Sequence, residues 1–233
     1  FIPLRANDKT PLISYKHLSR SSNLITPEHV ERWYNKFDKF NLGLLTGSCN
    51  DLIVLDIDLT PETLERVNYD QIKIREMLDN ALINFEAHYN VNLFKTTTVD
   101  TFKSKHIYYT LPDRLDIRNN QGLQVENIDN VTFDIRGQGG FVVTPYSLHK
   151  TGFEYSYNRG LTDLKPLPPE LITLFDFNKT KPPNQQFKQR PLFQINSTDK
   201  LCMQVLQDQD FQRGSRTQKL FLFYVLLTKQ GYL

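Results

Sequence analysis

The chain reads as an α+β protein, and three stretches predict it. Residues 70–90 place Ile74, Met77, Leu78, Ala81, Leu82, Phe85 and Tyr89 on one helical stripe. From Leu93 to Tyr157 the composition turns to β-branched and aromatic runs broken by Asn, Asp and Gly. Ahead of the helix, Asp51-Leu-Ile-Val-Leu-Asp56-Ile-Asp58 runs apolar residues into two aspartates, as a buried strand reaching an edge would. With 233 residues, 39% hydrophobic and 12% aromatic, there is enough chain for a well-buried core, in one large domain or two smaller ones.

Phe1 to Leu4 is expected as a short strand, followed by a loop at Lys9-Thr-Pro11. Thr26-Pro27-Glu28 starts a helix: a hydroxyl cap, proline in the first turn and an acid near the positive end. Val30, Trp33, Tyr34 and Phe37 follow at helical spacing, and the helix ends before Asn41. Leu42 to Leu45 is a buried strand, Thr46-Gly47-Ser48 a turn, and the strand carrying Asp56 and Asp58 comes next, so this segment predicts a hairpin. Asp70 suits the cap of the 70–90 helix. Strands are expected at Leu93–Val99, His106–Thr110, Gly122–Glu126, Val131–Ile135, Phe141–Thr144 and Phe153–Tyr157. Leu167 to Phe175 starts a short helix that closes this region, giving a domain over 1–177. Residues 178–197 have the Asn, Gln, Lys and Pro content of a linker. Leu201, Val205 and Leu206, then Leu220, Phe223, Tyr224 and Leu227, predict a small helical region over 198–233. The chain opens on Phe1 and stops just after that pattern, and is expected to be part of something longer.

The net charge of +2 is unevenly spread. Residues 1–177 hold 19 Lys and Arg against 23 Asp and Glu, whereas 178–233 hold 9 against 3. The basic end suits a polyanionic partner or simply a solvated surface. Cys49 and Cys202 stand far apart, which excludes a disulfide framework and a zinc site and points to reduced thiols in a cytoplasmic protein. No apolar run approaches the ~18 residues of a membrane span.

Three stations carry candidate chemistry. In a strand, Asp56 and Asp58 project from one face while Ile57 points into the core. Two carboxylates that close repel each other unless a cation lies between them, and an oxygen-only pair suits Mg²⁺ or Mn²⁺. The alternative is a strand that leaves the core at Asp56 into an acidic turn. Second, Ser104-Lys105-His106 stands at the start of an apolar strand. His106 there suits a metal ligand, a general base or a phosphate donor, and Ser104 and Lys105 add donors; a surface histidine is the plainer account. Third, Asp134 lies within a strand and is followed by Arg136 and by Gly137, Gly139 and Gly140. The glycines allow a sharp turn or close approach to a ligand, and Arg136 can pair with a carboxylate or clamp a phosphate. Together, Asp56, Asp58 and Asp134 supply three carboxylates for two cations, while His106, Ser104 and Arg136 supply donors for a triphosphate.

These stations resemble the archaeo-eukaryotic primase superfamily, and within it the primase-polymerase domains of plasmid and phage replication proteins. Val54-Leu-Asp56-Ile-Asp58, Ser104-Lys-His106 and Phe133-Asp134 are similar to its three motifs. Asn41-Leu-Gly-Leu-Leu-Thr-Gly47 is similar to its lead-in, and Asp134 through Ser147, with His149, Gly152 and Tyr155, to its third block. Lys9-Thr-Pro11 resembles its N-terminal Lys-x-Pro, and the resemblance covers about 1–175. It departs in Phe102-Lys-Ser-Lys-His106, where the family usually has glycine beside the histidine, and two cysteines exclude the zinc-binding stem of some relatives.

The resemblance implies an α/β module beside an RRM-like module, with the active site in the cleft between them. It implies template-directed synthesis from NTP or dNTP on a single-stranded DNA template, with or without a primer, in plasmid or phage replication. It further implies two Mg²⁺ or Mn²⁺ ions on Asp56, Asp58 and Asp134, the triphosphate on Ser104, Lys105, His106 and Arg136, and a helicase domain in the full-length protein. Two other readings stay open: a metal-dependent glycosyltransferase, which also uses Asp-x-Asp, and a non-catalytic nucleic-acid-binding module.

Overall fold

The computed structural model describes residues 1–20, 25–112, 115–159 and 164–177. The expected linker and C-terminal helical region lie outside them. The architecture is α+β, with two sheets whose strands are antiparallel except for one short parallel pairing. β1 (Ile2–Arg5), β2 (Phe40–Leu45) and β8 (Phe141–Val143) form a three-stranded sheet in the order β1-β2-β8. The larger sheet runs β6 (Asn120–Val125), β7 (Ile128–Arg136), β3 (Leu52–Leu59), β5 (Ser104–Thr110), β4 (Thr98–Asp100) and β9 (Ser156–Arg159). β10 (Lys165–Pro166) adds to β5 in parallel.

The long helix α3 (Gln71–Tyr89) forms where the apolar stripe predicts it. Asp70 caps it, accepting from the Ile72 and Lys73 amides at 2.9 and 3.3 Å, and Asn90 ends it in the left-handed region. Ile74, Leu78, Leu82 and Phe85 are buried against one face of the large sheet, with Ile53, Leu55, Ile57, Ile107, Tyr109 and Phe133 opposite. Phe85 meets Phe133 at 5.1 Å between ring centres. The other face of the sheet, at Val54, Val99 and Tyr108, shares a core with Leu42, Leu44 and Val142 of the small sheet and with Trp33 of α1 (Pro27–Lys36). β3 is therefore buried from both sides, and its carboxylates lie on the face toward the small sheet. Short helices α2 (Pro61–Arg66) and α4 (Pro169–Leu174) complete the described residues.

Three expectations need correction. The hairpin does not form: β2 pairs β1 and β8, while β3 pairs β5 and β7, with only a Gly47–Leu52 bridge between them. The link from Thr46 to Asp51 is longer than a tight hairpin turn, and Asn50 Nδ2 ties it back to the Leu45 carbonyl at 2.8 Å. Eight-residue β3 finds seven- and nine-residue partners in β5 and β7, which satisfy its ladder on both sides. Residues 93–97 do not join a strand, because Glu86 Oε1 accepts from the Leu93 and Phe94 amides and holds that segment to the helix end. Tyr34, placed on the α1 stripe, is 52% exposed. Helix α2 was not anticipated, although Thr60-Pro61-Glu62 repeats the start signal of Thr26-Pro27-Glu28. Among the described residues, no helix is long and apolar enough to cross a membrane.

Candidate active site

Register assembles the site. Asp56 in β3 lies opposite Asp134 of β7 on one side and His106 of β5 on the other. Asp58 lies opposite Thr132 and Ser104, and Val54 opposite Arg136. Alternation then puts Asp56, Asp58, Asp134, Ser104, His106 and Arg136 on one face of the sheet. Each of the three aspartates offers an oxygen within 4.8 Å of the others. These residues span 56 to 136 in sequence and meet only because β3 runs between β5 and β7.

Lys105 does not join them. It pairs in register with Ile57 and so points to the opposite face, where Nζ lies 2.8 Å from Asp79 and 3.3 Å from Asp100. Its side chain is 5% exposed, so the geometry withdraws it from the candidate nucleotide-binding set. Lys103, given no role from sequence, stands in its place: Nζ meets Asp58 Oδ1 at 2.8 Å.

Arg136 bridges two of the acids, donating to Asp56 Oδ2 at 3.0 Å and Asp134 Oδ2 at 2.7 Å. The Gly122 amide donates to Asp134 Oδ1 at 2.8 Å. His106 Nε2 is 3.5 Å from Asp56 Oδ1. Burial raises the Asp56 pKa, but the facing His106 and Arg136 charges, with hydrogen bonds from Arg136 and Ser104, hold it below the usual range. Asp58 goes the other way: burial and then the Asp56 charge push it up to about 6, against the pull of Lys103. Burial lowers the His106 pKa, against the pull of the Asp56 charge.

The donor set fits a divalent cation. It is all oxygen and carries up to three negative charges, as Mg²⁺ or Mn²⁺ requires. Asp56 Oδ1 and His106 Nδ1 are buried with no hydrogen-bond partner among the described residues. Such atoms cost about 1–3 kcal/mol each unless a ligand satisfies them.

The turn that carries Ser104 is held without glycine. Arg75 of α3 donates to the carbonyls of Thr101 and Ser104, the latter at 3.2 Å, and pairs with Asp100 at 3.3 Å. The Ser104 amide donates to Thr101 Oγ1 at 3.0 Å. Gly137 approaches the protein's own backbone: a Cβ there would lie 2.1 Å from the Ile117 carbonyl oxygen. Gly139, at φ +82°, makes the turn itself.

Asp56 and Asp58 line a cavity of about 790 Å³ between the two sheets. Asp56, Asp58, Ser104, His106 and Arg136 form one wall. Lys9, Phe141, Val143, His149 and Tyr155 stand among the residues of the other. This all-oxygen cluster could hold a hard cation, and arginine, lysine and histidine flank it in the cleft. The sequence model of the family described as bifunctional DNA primase/polymerase, N-terminal (Prim-Pol), matches residues 1–170. The chain belongs to this Prim-Pol family, whose substrates are DNA and nucleotides and whose enzymes use divalent metals. A search of curated proteins finds no match.

Proposed function

We propose that this chain is a template-directed nucleotidyltransferase, a DNA primase and DNA polymerase that uses two Mg²⁺ or Mn²⁺ ions. The observation that carries this reading is the strand register that brings Asp134 opposite Asp56, with Asp58 two residues on, beside Arg136, Lys103 and His106. Asp56, Asp58 and Asp134 would hold the metals. When bound, the ions supply activation of the attacking hydroxyl and charge stabilisation for the leaving pyrophosphate.

The chain's own groups do the rest. Arg136 and Lys103 pair with these carboxylates. With those carboxylates occupied by cations, both are placed to take phosphate oxygens. Ser104 and His106 add hydrogen-bonding groups beside Asp58 and Asp56. The cleft walls orient the nucleotide against the strand end. We read the large sheet with α3 as the RRM-like module and the small sheet with its surroundings as its companion. A single-stranded DNA template, a primer and NTP or dNTP are the proposed substrates, with a helicase domain as partner in the full-length protein. Asp-x-Asp alone would also suit a glycosyltransferase; Asp134 opposite Asp56 and the family match favour nucleotidyl transfer.

Primer extension on a single-stranded template with Mg²⁺ or Mn²⁺ tests the reading. The wild type incorporates nucleotide, and Asp56→Ala with Asp58→Ala loses at least about 10³-fold while its circular dichroism is unchanged, as expected when charge stabilisation by the metals is removed. Incorporation by that variant at the wild-type rate would overturn the assignment.

A further inference from the structure

The mouth of the cleft carries a second set of groups that nucleotidyl transfer leaves unused. Phe102 and His149 stack face to face, with ring centres 4.9 Å apart and planes 8° apart. Phe153 meets Phe102 edge-on at 6.3 Å, and the Arg75 guanidinium lies 5.4 Å from the Phe153 ring centre. Phe102 sits on the turn before β5 and His149 on the segment after β8, so the stacked pair joins the large sheet to the small one. Lys9 and Lys150 line the same cavity. Burial, then the charges of Lys150, Lys9 and Lys103, lower the His149 pKa. Asp8 is the nearby opposing charge, and its carboxylate is engaged by the Lys9 amide at 2.7 Å and the Thr10 hydroxyl at 2.9 Å.

This rim is fixed in place. Asn41, 1% exposed, donates through Nδ2 to the Asp8 carbonyl at 3.0 Å and the Leu148 carbonyl at 2.7 Å. Its Oδ1 accepts from the Leu148 amide at 3.0 Å. One buried amide thus holds both the segment bearing Lys9 and the segment bearing His149. Arg75 does the same for the turn bearing Phe102 and Lys103.

Positive charge that follows a groove, with aromatic faces beside it, is the chemistry that takes single-stranded nucleic acid. A duplex keeps its base faces covered by its own stacking. We propose that this rim seats the single-stranded template, its phosphates on Lys9 and Lys150 and an unstacked base against the Phe102–His149 pair. The inference rests on the nucleotidyl-transfer reading for the identity of the strand. Binding the strand requires neither metal nor chemistry.

Fluorescence anisotropy with a labelled oligothymidine strand, in the presence of EDTA, tests it. The wild type binds the single strand more tightly than a duplex of equal length. Phe102→Leu with His149→Ala weakens the single strand about 5- to 100-fold, the range for loss of base–aromatic stacking. Exposed Lys150→Ala, which leaves the fold untouched, reduces the slope of log affinity against log salt by about 0.7. Asp56→Ala with Asp58→Ala keeps strand affinity at or above the wild-type level. Equal binding by wild type and rim variants, or equal binding of duplex and single strand, overturns the proposal. So does a rim variant that keeps strand affinity but raises KM for the nucleoside triphosphate, because the rim is then a nucleotide subsite. Strand binding without any incorporation would overturn the catalytic reading and leave this one standing.

Discussion

At Asp58 two costs meet: loss of water and the charge of Asp56 nearby. Its folded-state pKa of about 6 lies above its unfolded value of about 3.9. The folded protein therefore holds this proton more tightly than the unfolded chain. The stabilisation from the proton is complete below about pH 4 and is lost as pH rises through about 6. Asp58→Asn removes the charge for good. It is expected to raise the stability of the protein in EDTA at pH 8 by on the order of 1–3 kcal/mol, with the gain shrinking as pH falls through about 6 and gone below about 4. Thermal melts of both proteins in EDTA across pH check this; a variant less stable than wild type at pH 8 would contradict it. The same titration governs metal uptake, since the cation must displace the proton. Mn²⁺ affinity should fall about tenfold per pH unit below about 6. At this scale much was legible: an acid in a core strand is unusual enough to read from sequence, and so was a histidine at a strand start. Lys103 was missed because its role depends on Asp58, which lies 45 residues earlier and in a different strand.

The turn from Thr101 to Ser104 is the element on which the nucleotide side of the site depends. Its neighbours Lys103 and Ser104 both face Asp58, and Phe102 reaches across the cleft. With no glycine in the turn, this chain uses a helix-borne guanidinium and a Thr101–Ser104 hydroxyl pair at 2.6 Å. Arg75→Ala is expected to cost about 1–3 kcal/mol, because buried carbonyls lose their donor. Amide exchange of Lys103 and Ser104 should quicken, and KM for the nucleotide should rise more than kcat falls. Arg75→Lys, keeping one charge and fewer donors, should recover part of both; unchanged exchange in Arg75→Ala would show that the turn stands without it. The strand period explains the one candidate that sequence reading misplaced. In Ser104-Lys105-His106 alternate residues share a face, so with Ser104 and His106 facing Asp58 and Asp56, Lys105 between them cannot. Applied there as it was at Asp56-Ile57-Asp58, the same rule sends Lys105 to the helix side. The glycines after Arg136 were correctly marked as special, but their close neighbours are Ile117 and Asn119, which no local pattern identifies.

Across the whole molecule, the site exists because two sheets enclose a cleft and the central strand of the larger one ends in acids. Helix α3 and the strands that flank β3 could be located from periodicity, since each carries its own signal. Which strand pairs with which could not. β2 and β8 join residues about a hundred positions apart, and the nearer choice, a hairpin of β2 with β3, loses to longer ladders on either side of β3. The central claim is that this topology turns three separate carboxylates into one metal centre for a nucleoside triphosphate. Mn²⁺ titration followed by electron paramagnetic resonance, with and without a nucleoside triphosphate, tests it most directly. The wild type should bind Mn²⁺ near neutral pH and bind it more tightly with the nucleotide present, while Asp134→Asn and Asp56→Asn lose most of this binding with unchanged circular dichroism. Full Mn²⁺ binding by both variants would place the metal elsewhere and contradict the account.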